Sequence, residues 1–350
     1  MTVLATLLAL GGCAPQGHEG DDSGARVITL TYASPYPPAH PFSRADIAWM
    51  RHVSRASGGR LAFRPYWSGA LLSSDMSMVE IRHGLADIGL ITPIYARGGA
   101  HMLRAQSGFY GGVRSIADQV AVYDCLSAQF PQFGRELAGL HPLAVQGGNF
   151  PGVLTRDRPV RTLADLRGLR LRAQSDGIDV LRALGADPVN MPMGEVYSAL
   201  AKGVIDGVVA PADTIKSLHF SEVAHHFTAL RFSRGAYPAR AMSDMAWRRL
   251  PPDLQRIITQ SRRFWEGALM HEIMKAEADG IAFATGHGVA MHSLNAADHQ
   301  RFDALYNQYA LKQARALGVF GMQGEPVFHE AQRLIAGGDI RCPAPEFGVK

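Results

Sequence analysis

The sequence predicts an α/β protein built as two lobes, and three observations predict it. At 350 residues the chain exceeds one ordinary domain and suits two lobes, each large enough for its own core. One short unit, a helix closed by glycine and followed by aspartate and an apolar run, occurs in both halves. It reads His83-Gly84-Leu85-Ala86-Asp87 in the first half and Lys202-Gly203-Val204-Ile205-Asp206 in the second. Finally, 251 to about 286 carries a continuous helical pattern with Leu254, Ile257, Ile258, Phe264, Leu269 and Ile273 on its apolar face. A helix of about 35 residues covers ~50 Å, more than one lobe, so it must span both.

The elements follow in order. Residues 27–33 read as the first strand, ended by Pro35, Pro37 and Pro38, and 42–57 as an amphipathic helix stopping at Gly58-Gly59. Residues 61–66 form the next strand, 75–83 a helix with Asp75 as its N-cap, and 86–91 a buried strand. In the second half, Gly168 breaks the chain before a strand over 169–173. A helix over 178–184 stops at Gly185, and another over 195–202 closes at Gly203. Residues 204–209 then form a buried strand interrupted by Asp206-Gly207. This β-α-α-β order builds an open, largely parallel sheet whose ligands sit beyond the carboxyl ends of the strands. Arg172 falls at such an end, where a guanidinium is a fixed fork suited to gripping both oxygens of a carboxylate. A helix over 296–317 and an irregular tail after Gly337 complete the chain.

The same residues carry a resemblance. The run Asp165-Leu166-Arg167-Gly168-Leu169-Arg170-Leu171-Arg172 is followed by Leu184-Gly185-Ala186, Met191-Pro192-Met193, Glu195 to Leu200 and Gly203-Val204-Ile205-Asp206-Gly207. With Leu30 to Ser34, His83 to Gly89 and Ser243 to Pro251, in that order and spacing, the chain resembles the extracytoplasmic solute-binding proteins of TRAP transporters, the DctP-like family. The resemblance implies a two-lobed periplasmic-binding-protein-like fold, with a ligand cleft between the lobes and a long helix across both. It implies an organic-acid ligand handed to the membrane subunits of a TRAP permease, with Arg172 holding the ligand carboxylate. The same binder serving signalling or another transporter class is the alternative. Lobe I is expected over 26–150 plus about 238–265, and lobe II over 151–237 plus about 266–340. The chain would cross between them near Phe150 and near Tyr237, leaving 341–350 as a tail.

Further candidates follow strand ends. Ser34, Tyr36 and His40 leave the first strand, and Trp67 the second. Thr92 and Tyr95 follow the strand ending at Ile91, where relatives place polar contacts. Asn149 and Phe150 lie at the lobe crossing, and Gln174 and Ser175 just beyond Arg172. Two departures from the family pattern matter. Val209-Ala210-Pro211 replaces a motif whose asparagine touches ligand, placing Ala210 there, and Gly152 stands where many relatives carry a second arginine. Fewer polar anchors favour a monocarboxylate with a larger apolar or aromatic body, since small-ligand sites are mostly apolar with a few fixed polar groups.

Composition bounds the partners. Hydrophobic residues at 47%, charged residues at 19% and a net charge of +4 describe a soluble globular protein with a mild preference for anions. The basic residues are scattered, so nucleic acid is not an expected partner. The sequence expects no metal and no cofactor, because His271-Glu272 has Lys275 where a zinc-protease motif needs its second histidine. Nucleophile-elbow, Walker and dinucleotide motifs are absent, so no enzymatic activity is expected. Residues 1–13 read as a signal segment ending in Leu10-Gly11-Gly12-Cys13, a lipobox-like run with Cys13 as the lipidated residue. The expected location is therefore extracytoplasmic, with membrane attachment through a lipid anchor alone and residues 14–25 as a flexible tether. Cys125 and Cys342 can then pair in an oxidising compartment or stay as two thiols.

Overall fold

A computed structural model describes residues 27–174, 177–338 and 340–342. Its strands are β1 (Ile28–Ala33), β2 (Leu61–Tyr66), β3 (Ile88–Leu90), β4 (Leu140–Gln146), β5 (Gly152–Thr155), β6 (Arg170–Arg172), β7 (Asp187–Val189), β8 (Gly207–Ala210), β9 (His226–Ala229), β10 (Tyr237–Ser243) and β11 (Ala290–Ser293). They form two sheets, ordered β2-β1-β3-β10-β4 and β11-β9-β5-β8-β6-β7. The chain leaves the first sheet after Gln146, enters the second at Gly152, and returns between Ala229 and Tyr237. Each strand that receives a crossing runs against its neighbours: β5 is antiparallel to β8 and β9, and β10 to β3 and β4. The remaining pairs are parallel, so both sheets are mixed. All seven residues of β10 are buried, as a strand between two others and covered on both faces requires.

Helices cover each sheet. Pro41–Ala56 lays Trp49, Met50 and Val53 into the first-sheet core, with His40 as its N-cap accepting from the Phe42 N–H. Within that core Asp46 and Arg240 are wholly buried and paired at 2.8 Å. Tyr32 Oη and Trp265 Nε1 also donate to Asp46, at 2.5 and 2.9 Å.

Three sequence expectations change. The β-α-α-β unit contains a further strand, β7, at the edge of the second sheet, where Pro188 costs no ladder bond on its outer side. The helix over 251–286 is two helices, Pro252–Gln260 and Arg262–Gly286, broken at Ser261. Ser261 Oγ donates to the Ile258 carbonyl at 2.6 Å and accepts the Trp49 indole N–H at 2.7 Å. Arg262–Gly286 still packs on both lobes: Trp265, Leu269 and Ile273 join the first core, and Ala284 joins the second. The stretch 266–340 does not belong wholly to lobe II. Ala310, Ala314 and the Gly324–Ala336 helix return to the first-lobe core, and Cys342 is disulfide-bonded to Cys125 there.

Candidate functional site

Arg172 ends β6 and is completely buried between its neighbours. Its Nε donates to the Met191 carbonyl at 3.0 Å, beyond β7, and Nη1 to the Val209 carbonyl of β8 at 3.3 Å. Nη2 reaches across to the first lobe and donates to Tyr95 Oη at 2.6 Å. A guanidinium has five N–H groups, so two remain, one on each terminal nitrogen, matching the two oxygens of a carboxylate. Arg240 is equally buried but has Asp46; Arg172 has no acidic partner among the described residues. An unpaired buried cation is costly, and an anionic ligand would offset that cost.

Through Tyr95, Arg172 reaches the wall of a cleft of about 50 Å³ between the two lobes. The first lobe contributes Tyr36, His40, Phe42, Leu90, Thr92, Ile94 and Tyr95, and the second Gln174, Met193, Pro211, Asp213, Thr214 and Leu218. Asn149, Arg234 and Tyr237 come from the crossings, and Ile273 from the long helix. Tyr36 stacks on His40 with ring centroids 4.1 Å apart. Burial holds the His40 pKa down at about 3, so the ring is neutral. Burial also raises the Tyr36 and Tyr237 hydroxyls, while Arg234 opposes the rise at both, and Arg172 opposes it at Tyr36. Thr92 lines the wall, but its hydroxyl is already bonded to the Ser74 carbonyl. Asn149 Nδ2 donates to the Ile273 carbonyl at 2.9 Å, tying the crossing to the long helix.

The structure thus brings Tyr36, His40, Thr92, Tyr95, Asn149 and Gln174 around one cleft beside Arg172. It places three candidates elsewhere. Trp67 packs in the first-sheet core against Tyr32, ring centroids 5.5 Å apart, because the chain after β2 turns onto that sheet rather than into the cleft. Phe150 faces the opposite side of the crossing, under the Arg231 guanidinium at 4.7 Å. Ala210 is buried in the β8 ladder opposite Gly152. Asp75 is not an N-cap: Met76 holds that position and Asp75 pairs with Arg97. Ser34 is buried and its hydroxyl accepts the Tyr36 N–H at 3.2 Å. Ser175 and Cys13 lie outside the described residues.

Sequence reading missed the far end of the cleft. Gly152 cannot carry an arginine, since even a Cβ there would meet the Thr228 carbonyl oxygen at 2.4 Å. The second arginine of this cleft is Arg234, entering from the other crossing and lying so close over Gly148 that a Cβ would sit 2.3 Å from its Nε. Asp213 stands in the same wall. Its carboxyl is pushed up by burial, against which Arg234, Asn149 and Ser217 act. Behind it Glu277 accepts the Asp213 backbone N–H at 3.0 Å. Burial, then the Asp213 charge, raise Glu277 to about 7. The Gly147-Gly148 pair was the available signal, as adjacent glycines mark a place where another group comes close.

Comparison with known proteins agrees with this architecture. Residues 33–316 match the pattern of bacterial extracellular solute-binding protein family 7. A C4-dicarboxylate-binding protein, DctB, of Bacillus subtilis is 26% identical over 273 residues, covering 73% of this chain and 75% of its own. A solute-binding protein of Roseobacter denitrificans is 29% identical over 186 residues, covering 50% of this chain and 56% of its own; the chain spans about half the length of such curated relatives. Among solved structures, a TRAP solute-binding protein from Rhodoferax ferrireducens with copurified benzoate superposes with a TM-score of 0.80. It is 24% identical, over 89% of this chain and 98% of the other, and shares the two-lobed fold. With most of its length matched to that pattern, this chain belongs to the bacterial extracellular solute-binding proteins of family 7.

Proposed function

We propose that this protein captures an organic acid outside the cytoplasm and delivers it to a TRAP-type membrane permease. One observation carries the reading: Arg172 is a fully buried cation without an acidic partner among the described residues, and two of its N–H groups are unspent beside the cleft. A ligand carboxylate on those two donors would complete both the charge and the hydrogen bonding. Phe42, Leu90, Ile94, Met193, Leu218 and Ile273, with Tyr36, Tyr95 and Tyr237, suit an apolar or aromatic body on that acid. Benzoate copurified with the Rhodoferax relative, and a Bordetella bronchiseptica relative holds mandelate; a Sulfitobacter relative holds β-D-galacturonate, so ligands differ across the fold. A thermal-shift screen against organic acids tests the reading. An acid at ~100 times its dissociation constant stabilises by ~2.7 kcal/mol, and no stabilisation by any carboxylate would sink it. Attachment through Cys13 is a separate part of the proposal; intact-mass analysis of membrane-fraction protein should find that cysteine acylated.

A further inference from the structure

Arg234 and Asp213 face the same cleft and yet do not pair. Among the described residues Arg234 makes no hydrogen bond or ion pair, although its charge opposes the upward push of burial on the Asp213 carboxyl. Asp213 accepts from Ser217 Oγ at 3.3 Å, which leaves further lone pairs on its carboxylate. A donor-only cation and an acceptor carboxylate therefore stand apart across a space that opens to the ligand.

Resting on the carboxylate reading above, we propose that Arg234 and Asp213 together recognise a hydroxyl group on the acid, remote from the carboxylate that Arg172 holds. The reasoning is a donor and acceptor match. A second carboxylate would satisfy Arg234 but would press its charge on Asp213 and, behind it, on Glu277. An ammonium would satisfy Asp213 and oppose Arg234. A purely apolar substituent would displace water from these two half-buried side chains and leave Arg234 without a partner, a costly outcome for polar groups. A hydroxyl is the smallest group that accepts from one and donates to the other. Sites built to hydrogen-bond a substrate hydroxyl discriminate strongly against analogues lacking it, because their own polar groups are then left unpaired. Arg234 and Asp213 are thus specificity residues, whereas Arg172 is the general anchor.

The test uses the whole protein and matched aromatic acids that differ by one hydroxyl, 3-hydroxybenzoate against benzoate and mandelate against phenylacetate, titrated calorimetrically. The wild type should prefer the hydroxy acid of at least one pair by about tenfold or more. Arg234→Met should bring that preference within threefold, with an unchanged circular-dichroism spectrum showing that the variant is folded. Asp213→Asn should reduce the preference several-fold. Equal affinity within both pairs for the wild type would overturn the inference and leave the carboxylate reading standing. Equal weakening of both members of a pair by Arg234→Met would overturn it too, by showing a general electrostatic role. If no aromatic acid binds the wild type and Arg172→Ala alters nothing across the wider screen, the carboxylate reading itself has failed and this inference with it.

Discussion

Arg172 and Arg240 are both shut off from solvent, and they call for opposite experiments. Arg240 has Asp46 at 2.8 Å and Gln146 Oε1 at 3.0 Å, so its role is internal. Removing one member of that buried pair, as in Asp46→Ala, should cost about 3–5 kcal/mol of stability in chemical denaturation. Arg172→Ala should instead spare most of the stability and weaken acid binding by roughly a hundredfold or more, read by calorimetry. Arg172→Lys should recover part of it, because a point charge cannot reproduce the planar fork. Binding by Arg172→Ala within threefold of wild type would move the anchor elsewhere. The position of Arg172 at a strand end was legible from the pattern of the second half, and the family resemblance pointed to the same residue. Arg234 was not legible, since it leaves an irregular crossing segment whose path depends on contacts with Gly148.

Glu277 gives a residue-scale prediction in pH. Its folded-state pKa is raised from the ordinary 4.5 to about 7, first by burial and then by Asp213, with Arg234 and the Asp213 and Ala212 backbone acting the other way. The folded protein therefore holds a proton that the unfolded chain has already lost. Stability should fall as pH rises from about 4.5 through about 7. Glu277→Gln keeps an acceptor for the Asp213 N–H and should flatten that decline in melting temperature. A Gln variant with an unchanged pH slope would show that another group is responsible.

Among the elements, the break at Ser261 shows how a tertiary bond overrides a helical pattern. The apolar spacing runs through the break without a glycine or proline, so sequence periodicity reads one helix. Ser261 stops it by turning its hydroxyl to the Ile258 carbonyl while receiving the buried Trp49 indole. Trp49 in turn stacks on Trp265, ring centroids 3.6 Å apart, on the next helix. Ser261→Ala would leave the Trp49 N–H buried without a partner and should cost about 1–3 kcal/mol. A loss below a few tenths in urea denaturation would show that water or a helix shift replaces the bond. The missed strand β7 has a different cause. Asp187-Pro188-Val189 is short and contains proline, which argues against a strand except at a sheet edge, and edge position is not readable locally. Long strands such as β1 and β2 were readable because their boundaries carry proline or glycine.

For the whole molecule, the repeated helix–glycine–aspartate unit and a helix too long for one lobe led to crossings expected near Phe150 and near Tyr237, and the chain passes between the sheets at 147–151 and 230–236. The return of the C-terminal helix to the first lobe was not expected, because no local pattern says which of two cores a distant amphipathic helix will choose. Its Val327, Phe328, Ala331 and Leu334 settle there beside the residues around Cys125. Joining Cys125 to Cys342, separated by 217 positions, removes much of the freedom of the unfolded chain. A Cys125→Ser, Cys342→Ser double variant should lose about 2–5 kcal/mol, with reductant lowering the wild-type melting temperature in the same direction.

That bond also makes a ring. Every strand of the second sheet, from Gly152 to Ser293, lies between its two ends. A protease that nicks any exposed loop of the second lobe therefore opens the ring without dividing the molecule. Cleaved protein should migrate as a single species on a non-reducing gel and separate into two fragments when reductant is added.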